Sequence, residues 1–445
     1  MRKNKKIKWM GSILLLVLLF FVLTPSSQNA LLFPKDPVQT LVYSSSGFSD
    51  SPPYVSGQIL VKFKPTLKGK NIEFILSAYH TKKIQKIPVL DVYQLQIPEW
   101  MTVEETVNAF NQSPTVEYAQ PNYIYQLHKT PNDPLFPEQY ALYNSGQQIG
   151  SIPGSPQGTP SADIKATAAW EETLGSEEIV IAIIDSGVSL DHSDLKNKIF
   201  SHGRDFINND YDASDDYWHG TLVAGIAAAE TDNKIGIAGV AWNCKILPVK
   251  VFNNTGEGGT SDIISQGIIW AADNDADVLN LSFGSSGYDQ VLLNAIKYAY
   301  DKDIVIVASA GNENTAVSYP AAFDSYCLAV AATDYNDLRC GFSNYGTQID
   351  VAAPGEMIYS TVPPQLDPTR SPYAYGIGTS FSAPHVAGLA ALIKSIKPWL
   401  KPSEIMDIIR YSADDTNASL YKGKDYYIGY GRINMEKALV PIKIK

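Results

Sequence analysis

The segment IVIAIIDSGV, residues 179–188, decides the fold of this chain. Residues 179–184 are all apolar, and Asp185, Ser186 and Gly187 follow at once. An apolar run of this length that ends in a small polar turn is typical of a strand buried on both faces. Similar runs recur downstream with helical stretches between them, as at residues 246–251, 278–281 and 304–307, with helices at 220–230 and 263–273. The pattern predicts an α/β fold in which a mainly parallel sheet is covered by helices on both faces.

A smaller unit precedes this region, and the pattern changes near Asp133. Its predicted strands lie at residues 57–64, 89–97 and 116–125, and its predicted helices at 71–80 and 102–111. The second helix opens with Thr102 and carries Glu105 three residues later, which is a capping box. We interpret the unit as β-α-β-β-α-β, the ferredoxin-like α+β order.

Chain length limits the number of domains, and net charge limits the classes of partner. A chain of 445 residues has room for two or three domains. Its net charge is −11, and because residues 1–8 contribute five basic side chains and no acid, the remainder carries −16. This negative net charge over residues 9–445 argues against nucleic acid as a partner. Acidic side chains also suit calcium sites. An equally good interpretation is that they only keep the protein soluble.

The N-terminus has the pattern of a secretory signal. The basic start is followed by residues 13–23, none of which is polar. We predict a signal peptide over residues 1–30 that ends at Ala30, a linker over 31–56 and a secreted product. An uncleaved anchor that holds the protein in a membrane through residues 9–24 stays open as an alternative, and N-terminal sequencing of the exported protein distinguishes the two.

Reactive residue types stand beside glycine in separate blocks. Asp185 follows the first apolar run, His219 opens HGTLVAG, and Ser380 lies in GTSFSAPHVAG, residues 378–388. A serine hydroxyl needs a base, histidine serves as that base near neutral pH, and a buried carboxylate fixes the imidazole. A helix start at Ser380 aims N–H groups at developing negative charge, and Asn312, in ASAGN, offers a second donor.

Each block alone has an ordinary structural explanation. Asp185 and Ser380 could be helix caps, and His219 a surface histidine. Together they appear in the order Asp, His, Ser, which differs from the orders of chymotrypsin and of the α/β-hydrolases. The six histidines include no HExxH motif, which disfavours a metalloprotease.

The blocks IAIIDSGV, HGTLVAG, ASAGN and GTSFSAPHVAG resemble the signature blocks of the subtilisin-like serine proteases. The resemblance implies a three-layer α/β/α sandwich over residues 129–445 and peptide-bond hydrolysis through an acyl-enzyme. It implies a triad of Asp185, His219 and Ser380, with Asn312 as oxyanion donor. Two segments match the strands that pair with substrate backbone: Ser282, Phe283 and Gly284 on one side, Gly258 and Gly259 on the other. Phe381, where the family usually has methionine, departs from the pattern.

The resemblance also implies an intramolecular inhibitor and a calcium site. Residues 57–128 resemble the family's prodomains, which assist folding and then block the groove. Residues 130–134 resemble the mature N-terminus of thermitase-like members. That match implies a Ca²⁺ site formed by the side chains of Asp133, Asp194 and Asn233 and the carbonyls of Glu230, Ile235 and Ile237. Ordinary turn residues are the competing interpretation.

We therefore expect a secreted serine endopeptidase made as an autoprocessed zymogen. Its partners are protein or peptide substrates and its own prodomain, and we expect a monomer. A pseudo-enzyme that only binds is the first alternative, which the four intact catalytic positions disfavour. Three cysteines, Cys244, Cys327 and Cys340, are interpreted as small buried residues.

Overall fold

The computed structural model describes residues 30–32, 54–67, 69–123, 129–150, 154–200, 203–366, 369 and 371–440. These residues form two compact units, one between Thr40 and His128 and one from Lys129 onward together with residues 30–32. The predicted signal and most of the predicted linker lie outside the described residues. No described helix is long and apolar enough to cross a membrane, and residues 9–24 are not among those searched.

The bounds of the elements follow in chain order. The strands are β1 (Ala30–Leu32), β2 (Tyr54–Phe63), β3 (Lys82–Ile87), β4 (Val92–Gln96), β5 (Val116–Tyr123), β6 (Val180–Asp185), β7 (Arg204–Asp205), β8 (Lys245–Lys250), β9 (Val278–Leu281), β10 (Val305–Ser309), β11 (Cys327–Thr333), β12 (Ile349–Pro354), β13 (Ile358–Thr361) and β14 (Tyr373–Ile377). The helices are α1 (Gly69–Ala78), α2 (Val103–Asn111), α3 (Ala166–Ala169), α4 (His219–Ala228), α5 (Ser261–Asp273), α6 (Gln290–Tyr300), α7 (Thr379–Ile396), α8 (Pro402–Ser412) and α9 (Met435–Leu439), with a 3₁₀ turn at Phe136–Glu138.

The N-terminal unit is an antiparallel sheet of order β3-β4-β2-β5 with two helices, which confirms the predicted ferredoxin-like arrangement. The capping box at the start of α2 is present, since the Thr102 hydroxyl accepts from the N–H of Glu105 and the Glu105 carboxylate accepts from the N–H of Thr102. One predicted boundary is wrong. Residues 88–91 form a turn rather than the start of a strand, because Asp91 has φ +56° and Val89 is exposed.

The C-terminal unit contains a seven-stranded sheet of order β12-β11-β10-β9-β6-β8-β7. Every neighbouring pair in it is parallel. A smaller antiparallel sheet of order β1-β14-β13 stands apart from it. The four predicted apolar runs are the central strands β6, β8, β9 and β10, so the mainly parallel sheet is confirmed.

The sheet is covered on both faces, as predicted. Ile181 and Ile183 of β6 pack into one apolar core with α4 and α7, whereas Val180, Ala182 and Ile184 pack into a second core with α5 and α6. Alternate side chains of one strand therefore enter opposite layers, and each fully buried isoleucine contributes roughly 1.5–3 kcal/mol of transfer free energy. The three cysteines are buried and none forms a disulfide within the described residues.

The order of the strands reverses at β6. The chain passes from β6 to β8 on one side and then, through α5, to β9 on the other side of β6. Ligands of open α/β sheets bind beyond the carboxyl ends of the strands at such a switch point. Asp185 is the last residue of β6 and therefore lies at that position.

Candidate active site

A carboxylate and an imidazole join the end of β6 to the start of α4. Nδ1 of His219 lies 2.8 Å from Oδ1 and 3.0 Å from Oδ2 of Asp185. The exposed fractions are only 2% for Asp185 and 6% for His219. A carboxylate in this place keeps the proton on Nδ1, which leaves Nε2 as the basic nitrogen.

The environment of His219 favours a base. Burial opposes protonation, but the charge of Asp185 and its hydrogen bond outweigh burial, so the pKa of His219 is raised above its usual value. Nε2 of His219 is buried and has no hydrogen-bond partner among the described residues. A buried polar atom left unpaired is uncommon, and here it leaves the basic nitrogen ready for a reacting group.

Glycines beside the acid and the base explain the local sequence. Gly187 has φ +104°, and a Cβ there would lie 2.6 Å from the carbonyl oxygen of Ala213. A Cβ at Gly220 would lie 2.0 Å from the carbonyl oxygen of Gly187 and 3.0 Å from Cβ of Asp185. Only glycine fits at these positions. Gly187 is required by the loop before α4, and Gly220 by the close approach of α4 to the end of β6.

Ser380 is the second residue of α7 and is 2% exposed. Its Oγ donates to the carbonyl oxygen of Ser282 at 3.0 Å, and Oγ of Ser282 donates to the carbonyl oxygen of Ser380 at 2.7 Å. The second bond replaces one that the helix lacks, because Pro384 has no N–H to offer the Ser380 carbonyl. The ring of Phe381, the next residue, lies 5.4 Å from the ring of His219. The start of α7 therefore lies next to the imidazole, while the Ser380 hydroxyl itself is bonded to the Ser282 carbonyl.

The Asn312 side chain is fixed by the residue before Ser380. Its Oδ1 accepts from the N–H of Thr379 at 2.8 Å and from the Thr379 hydroxyl at 2.9 Å. The same hydroxyl accepts from the N–H of Gly311 at 3.1 Å. Because a backbone N–H can only donate, Oδ1 must face Thr379, and the Nδ2 donor is directed away from it. The arrangement holds an amide N–H₂ at the entrance of α7.

The two predicted substrate-pairing segments flank a shared aromatic residue. They are Ser282, Phe283 and Gly284 after β9, and Gly258 and Gly259 ahead of α5. The rings of Phe283 and Phe252 lie 5.4 Å apart, and a Cβ at Gly259 would lie 2.2 Å from the Phe252 ring. Both segments thus pack on Phe252, just beyond the end of β8.

Sequence reasoning missed Asp215, which is 1% exposed. Its Oδ1 accepts from the Ser186 hydroxyl at 2.9 Å and from the N–H groups of Tyr217 and Trp218 at 3.0 Å. Its Oδ2 accepts from the N–H of Thr221 at 2.9 Å and from the Thr221 hydroxyl at 2.6 Å. Asp215 therefore connects the turn after Asp185 to the start of α4, where His219 lies. Its position four residues before the helix was the available signal, although several other acids lie nearby.

Sequence reasoning also missed Lys250, which pairs in register with Asp185 across β6 and β8. It is 1% exposed, and its Nζ donates to the carbonyl oxygens of Ser186 at 2.7 Å and Phe252 at 2.9 Å and to the carboxylate of Asp216. A buried lysine is uncommon unless it is paired in this way. The charged residue that interrupts the apolar run 246–251 was the signal.

The predicted calcium residues converge at the other end of α4. Oδ1 of Asp194 accepts from Nδ2 of Asn233 at 2.8 Å, and Asp133 accepts from the N–H groups of Asp232 at 2.8 Å and Asn233 at 3.3 Å. Asp133 is 3% and Asp194 0% exposed. Burial raises the pKa of Asp194 to about 6, and the nearby charge of Asp133 adds to this effect.

Backbone groups from the same loop meet Asp194. The N–H of Ile237 donates to its Oδ2 at 2.8 Å, and the N–H of Glu230 donates to its carbonyl oxygen. Oδ1 of Asn233 accepts from the N–H of Ile235 at 2.9 Å and so does not face Asp194. Within the described residues no three side chains of His, Cys, Asp or Glu are placed to hold a metal ion. The donor set fits calcium only if amide and carbonyl oxygens complete it and the Asn233 amide turns over.

Comparison with known proteins identifies the family of both parts of the chain. The Subtilase family matches residues 176–431, and the Fervidolysin N-terminal prodomain matches residues 47–122. The chain is 40% identical over 390 residues to a thermophilic serine proteinase of Bacillus sp. (strain AK1), covering 87% of this chain and 88% of that one. It is 42% identical over 311 residues to thermitase of Thermoactinomyces vulgaris, covering 70% and 99%.

A solved structure extends the similarity to both units. The crystal structure of fervidolysin from Fervidobacterium pennivorans, described as a keratinolytic enzyme related to subtilisin, matches with a TM-score of 0.57 and 28% identity, covering 89% of this chain and 62% of that one. The family match spans more than half of the 445 residues. The chain belongs to the subtilase family of serine proteases, hydrolases that act on peptide bonds, and carries a fervidolysin-like prodomain.

Proposed function

We propose that the protein is a secreted endopeptidase that uses Asp185, His219 and Ser380 as its triad and is made as a zymogen that processes itself. The observation that carries the proposal is the contact between Nδ1 of His219 and both carboxylate oxygens of Asp185, with Nε2 left unpaired among the described residues. This arrangement has one use in a protease, which is to accept the proton of a nucleophile.

The reaction begins when the Ser380 hydroxyl turns from the Ser282 carbonyl to Nε2 of His219. As Oγ attacks the substrate carbonyl carbon, the proton moves to Nε2, and Asp185 stabilises the imidazolium. Nδ2 of Asn312 and the N-terminus of α7 donate to the developing oxyanion. The imidazolium then protonates the leaving amine. In the second half of the reaction, water attacks the acyl carbonyl carbon while His219 accepts its proton, and the imidazolium then returns a proton to Oγ of Ser380 as the acyl group leaves.

Two segments position the peptide. Ser282, Phe283 and Gly284 follow one strand and Gly258 and Gly259 lie in the opposite loop, so an extended substrate adds as a strand between them. Main-chain hydrogen bonds of this kind tolerate many side chains. We therefore propose protein and peptide substrates in general, cleaved by a monomer.

Replacing Asn312 with alanine is expected to lower kcat roughly 100- to 1,000-fold, the range known for the corresponding donor of subtilisin, a member of this family. KM should change little, because the amide acts on the transition state. Steady-state kinetics on a short chromogenic peptide measure the effect. Asn243→Ala, at an exposed position just before β8, is the control and should keep kcat. Equal losses in both variants would contradict the assignment.

The N-terminal region supports secretion and self-inhibition. Its basic and apolar start has the form of an export signal. The prodomain unit ends with β5 at Tyr123, and the described backbone resumes at Lys129, shortly before Asp133. The tail that we expect to occupy the groove is residues 125–129, of which 125–128 lie outside the described residues.

We expect wild-type residues 31–445 to acquire a new N-terminus between Tyr125 and Thr130, while Ser380→Ala stays full length. The cut falls there because a later one would delete Asp133, and because an intramolecular cut requires the nucleophile. Mass spectrometry of the N-termini checks both proteins. Processing of the serine variant at the same rate as wild type would show that another protease makes the cut.

We also propose a structural Ca²⁺ held by Asp133, Asp194 and Asn233 with the carbonyls of Glu230, Ile235 and Ile237. Asp133 and Asp194 are buried, coupled to each other and unpaired with any described lysine or arginine side chain. When bound, the ion supplies the positive charge that this pair lacks.

Calcium at one hundred times its Kd is expected to stabilise the fold by about 2.7 kcal/mol, which corresponds to roughly 5 °C in Tm for a domain of this size. Calorimetry in the Ser380→Ala background avoids self-digestion. Asp194→Asn should abolish the response to chelator. Asp232→Asn, at an exposed position in the same loop, should retain it. A wild-type Tm that is unchanged by excess chelator would rule the site out.

A further inference from the structure

Aromatic rings form a row through the catalytic histidine. The ring centroids of Tyr217 and Trp218 lie 5.2 Å apart, those of Trp218 and His219 5.5 Å, and those of His219 and Phe381 5.4 Å. The imidazole therefore contacts a ring from the residue before it and a ring from the helix of the nucleophile.

Both ends of the row rest on glycine. A Cβ at Gly256 would lie 2.8 Å from the Tyr217 ring, and a Cβ at Gly376 would lie 2.7 Å from the Phe381 ring. A larger residue at either glycine would displace the ring above it. The close packing at both ends keeps the row in place.

The backbone of Trp218 is strained. Its φ of +139° with ψ −28° lies in a region that L-residues rarely adopt and glycine adopts readily. Two hydrogen bonds hold it there: its N–H donates to Oδ1 of Asp215 at 3.0 Å, and its carbonyl accepts from the N–H of Leu222 at 3.2 Å. Strain at a non-glycine residue persists only where the surroundings fix it, and it concentrates at functional sites.

The indole ring of Trp218 makes packing contacts that a glycine at this position could not make. Trp218 is partly buried and packs against the core that contains Phe381. The hydrogen bonds of His219 to Asp185 hold the Nδ1 edge of the imidazole. The rings of Trp218 and Phe381 both lie against the imidazole, whose Nε2 is buried.

We propose that Trp218 is a positioning residue, whose strained backbone sets its ring against His219 and keeps Nε2 aimed at the nucleophile. The proposal rests on the triad put forward above. It adds a specific role for a residue outside that triad, one that acts through the imidazole and not on the substrate.

Three substitutions of Trp218 distinguish the effect of losing its ring from the effect of relaxing its backbone. Trp218→Gly and Trp218→Ala both remove the ring, and we expect each to lower kcat/KM about ten-fold, within the range known for small misplacements of catalytic groups. Trp218→Phe keeps a ring and should stay close to wild type. Only glycine relaxes the backbone, so Trp218→Gly should melt a few degrees above Trp218→Ala. At an unstrained position the order would be the reverse, because glycine loses more entropy on folding.

The pH profile of kcat/KM reports on the imidazole itself. Burial lowers the pKa of His219 and Asp185 raises it. The charged groups that act on the ring are Asp185 on β6 and Asp215 before α4. Lys250 on β8 lies in register with Asp185, and the variants leave all three residues in place. Hydration after loss of the indole should move the acid limb to higher pH in the glycine and alanine variants, and not in Trp218→Phe.

The experiment measures kcat/KM from pH 5 to 10 on processed enzyme, and Tm in the Ser380→Ala background. An alanine variant that melts above the glycine variant would refute the strain. Ring-less variants with wild-type kcat/KM and an unmoved acid limb would refute the positioning role. Failure of the triad itself gives a different result, namely an active Ser380→Ala enzyme.

Discussion

Ser380→Ala is expected to lower kcat by roughly six orders of magnitude, the loss known for the nucleophile of subtilisin, a member of this family. Without Oγ no acyl-enzyme forms, and only the oxyanion donors and substrate binding remain. The fold should survive, because the side chain loses one oxygen and the hydrogen bonds that it makes, each worth about 1 kcal/mol, among them the one to the Ser282 carbonyl.

The assay requires enzyme freed from its prodomain, since the variant cannot process itself. Wild type and variant are both treated with bead-bound trypsin, which is then removed by filtration, so that the two enzymes are prepared in the same way. Ser382→Ala is the matched control, because Ser382 is buried in the same helix and its Oγ has no partner among the described residues. Full activity in the control and residual activity in Ser380→Ala are expected. Comparable activity in both would refute the nucleophile.

Asp185→Asn is expected to lower kcat about 10⁴-fold. The asparagine amide would donate to Nδ1 of His219, so the ring proton would move to Nε2 and that atom could no longer accept one. The charge of Asp185 also raises the pKa of His219. Its removal lowers that pKa, so the acid limb of the remaining activity should move to lower pH.

Asp324→Asn is the control for this change. Asp324 is exposed just before β11, at the opposite end of the parallel strands from Asp185, so activity should stay near wild type. The pH dependence of kcat/KM measures both variants. An Asp185→Asn enzyme within ten-fold of wild type would contradict the role of the carboxylate.

The elements that sequence predicted best are those whose physical cause is local. The central strands are apolar on both faces, so residues 179–184 and 278–281 could be identified without knowledge of their neighbours. Asp185 and His219, two of the proposed triad residues, stand beside glycines that close contacts require, namely Gly187 and Gly220. Chemistry and backbone constraint coincide at these positions.

The features that sequence missed depend on distant partners. Strand β3 is largely exposed on both faces and lies at a sheet edge, so its residues show no clear alternation. Asp215 is one of several acids before α4, and only the folded chain shows that its oxygens accept from Ser186 and Thr221. The strain at Trp218 is a property of the backbone, and a tryptophan gives no sign of it.

The reversal of strand order at β6 has a consequence for the lifetime of the enzyme. Strands from distant parts of the chain flank β6, so the sheet forms only after long loops have closed, and folding topologies of this kind are slow to form. A protease also digests any copy of itself that opens. Its lifetime in solution is then set by the unfolding rate of the sheet. A high kinetic barrier to unfolding therefore protects the enzyme more than a large free energy of unfolding does.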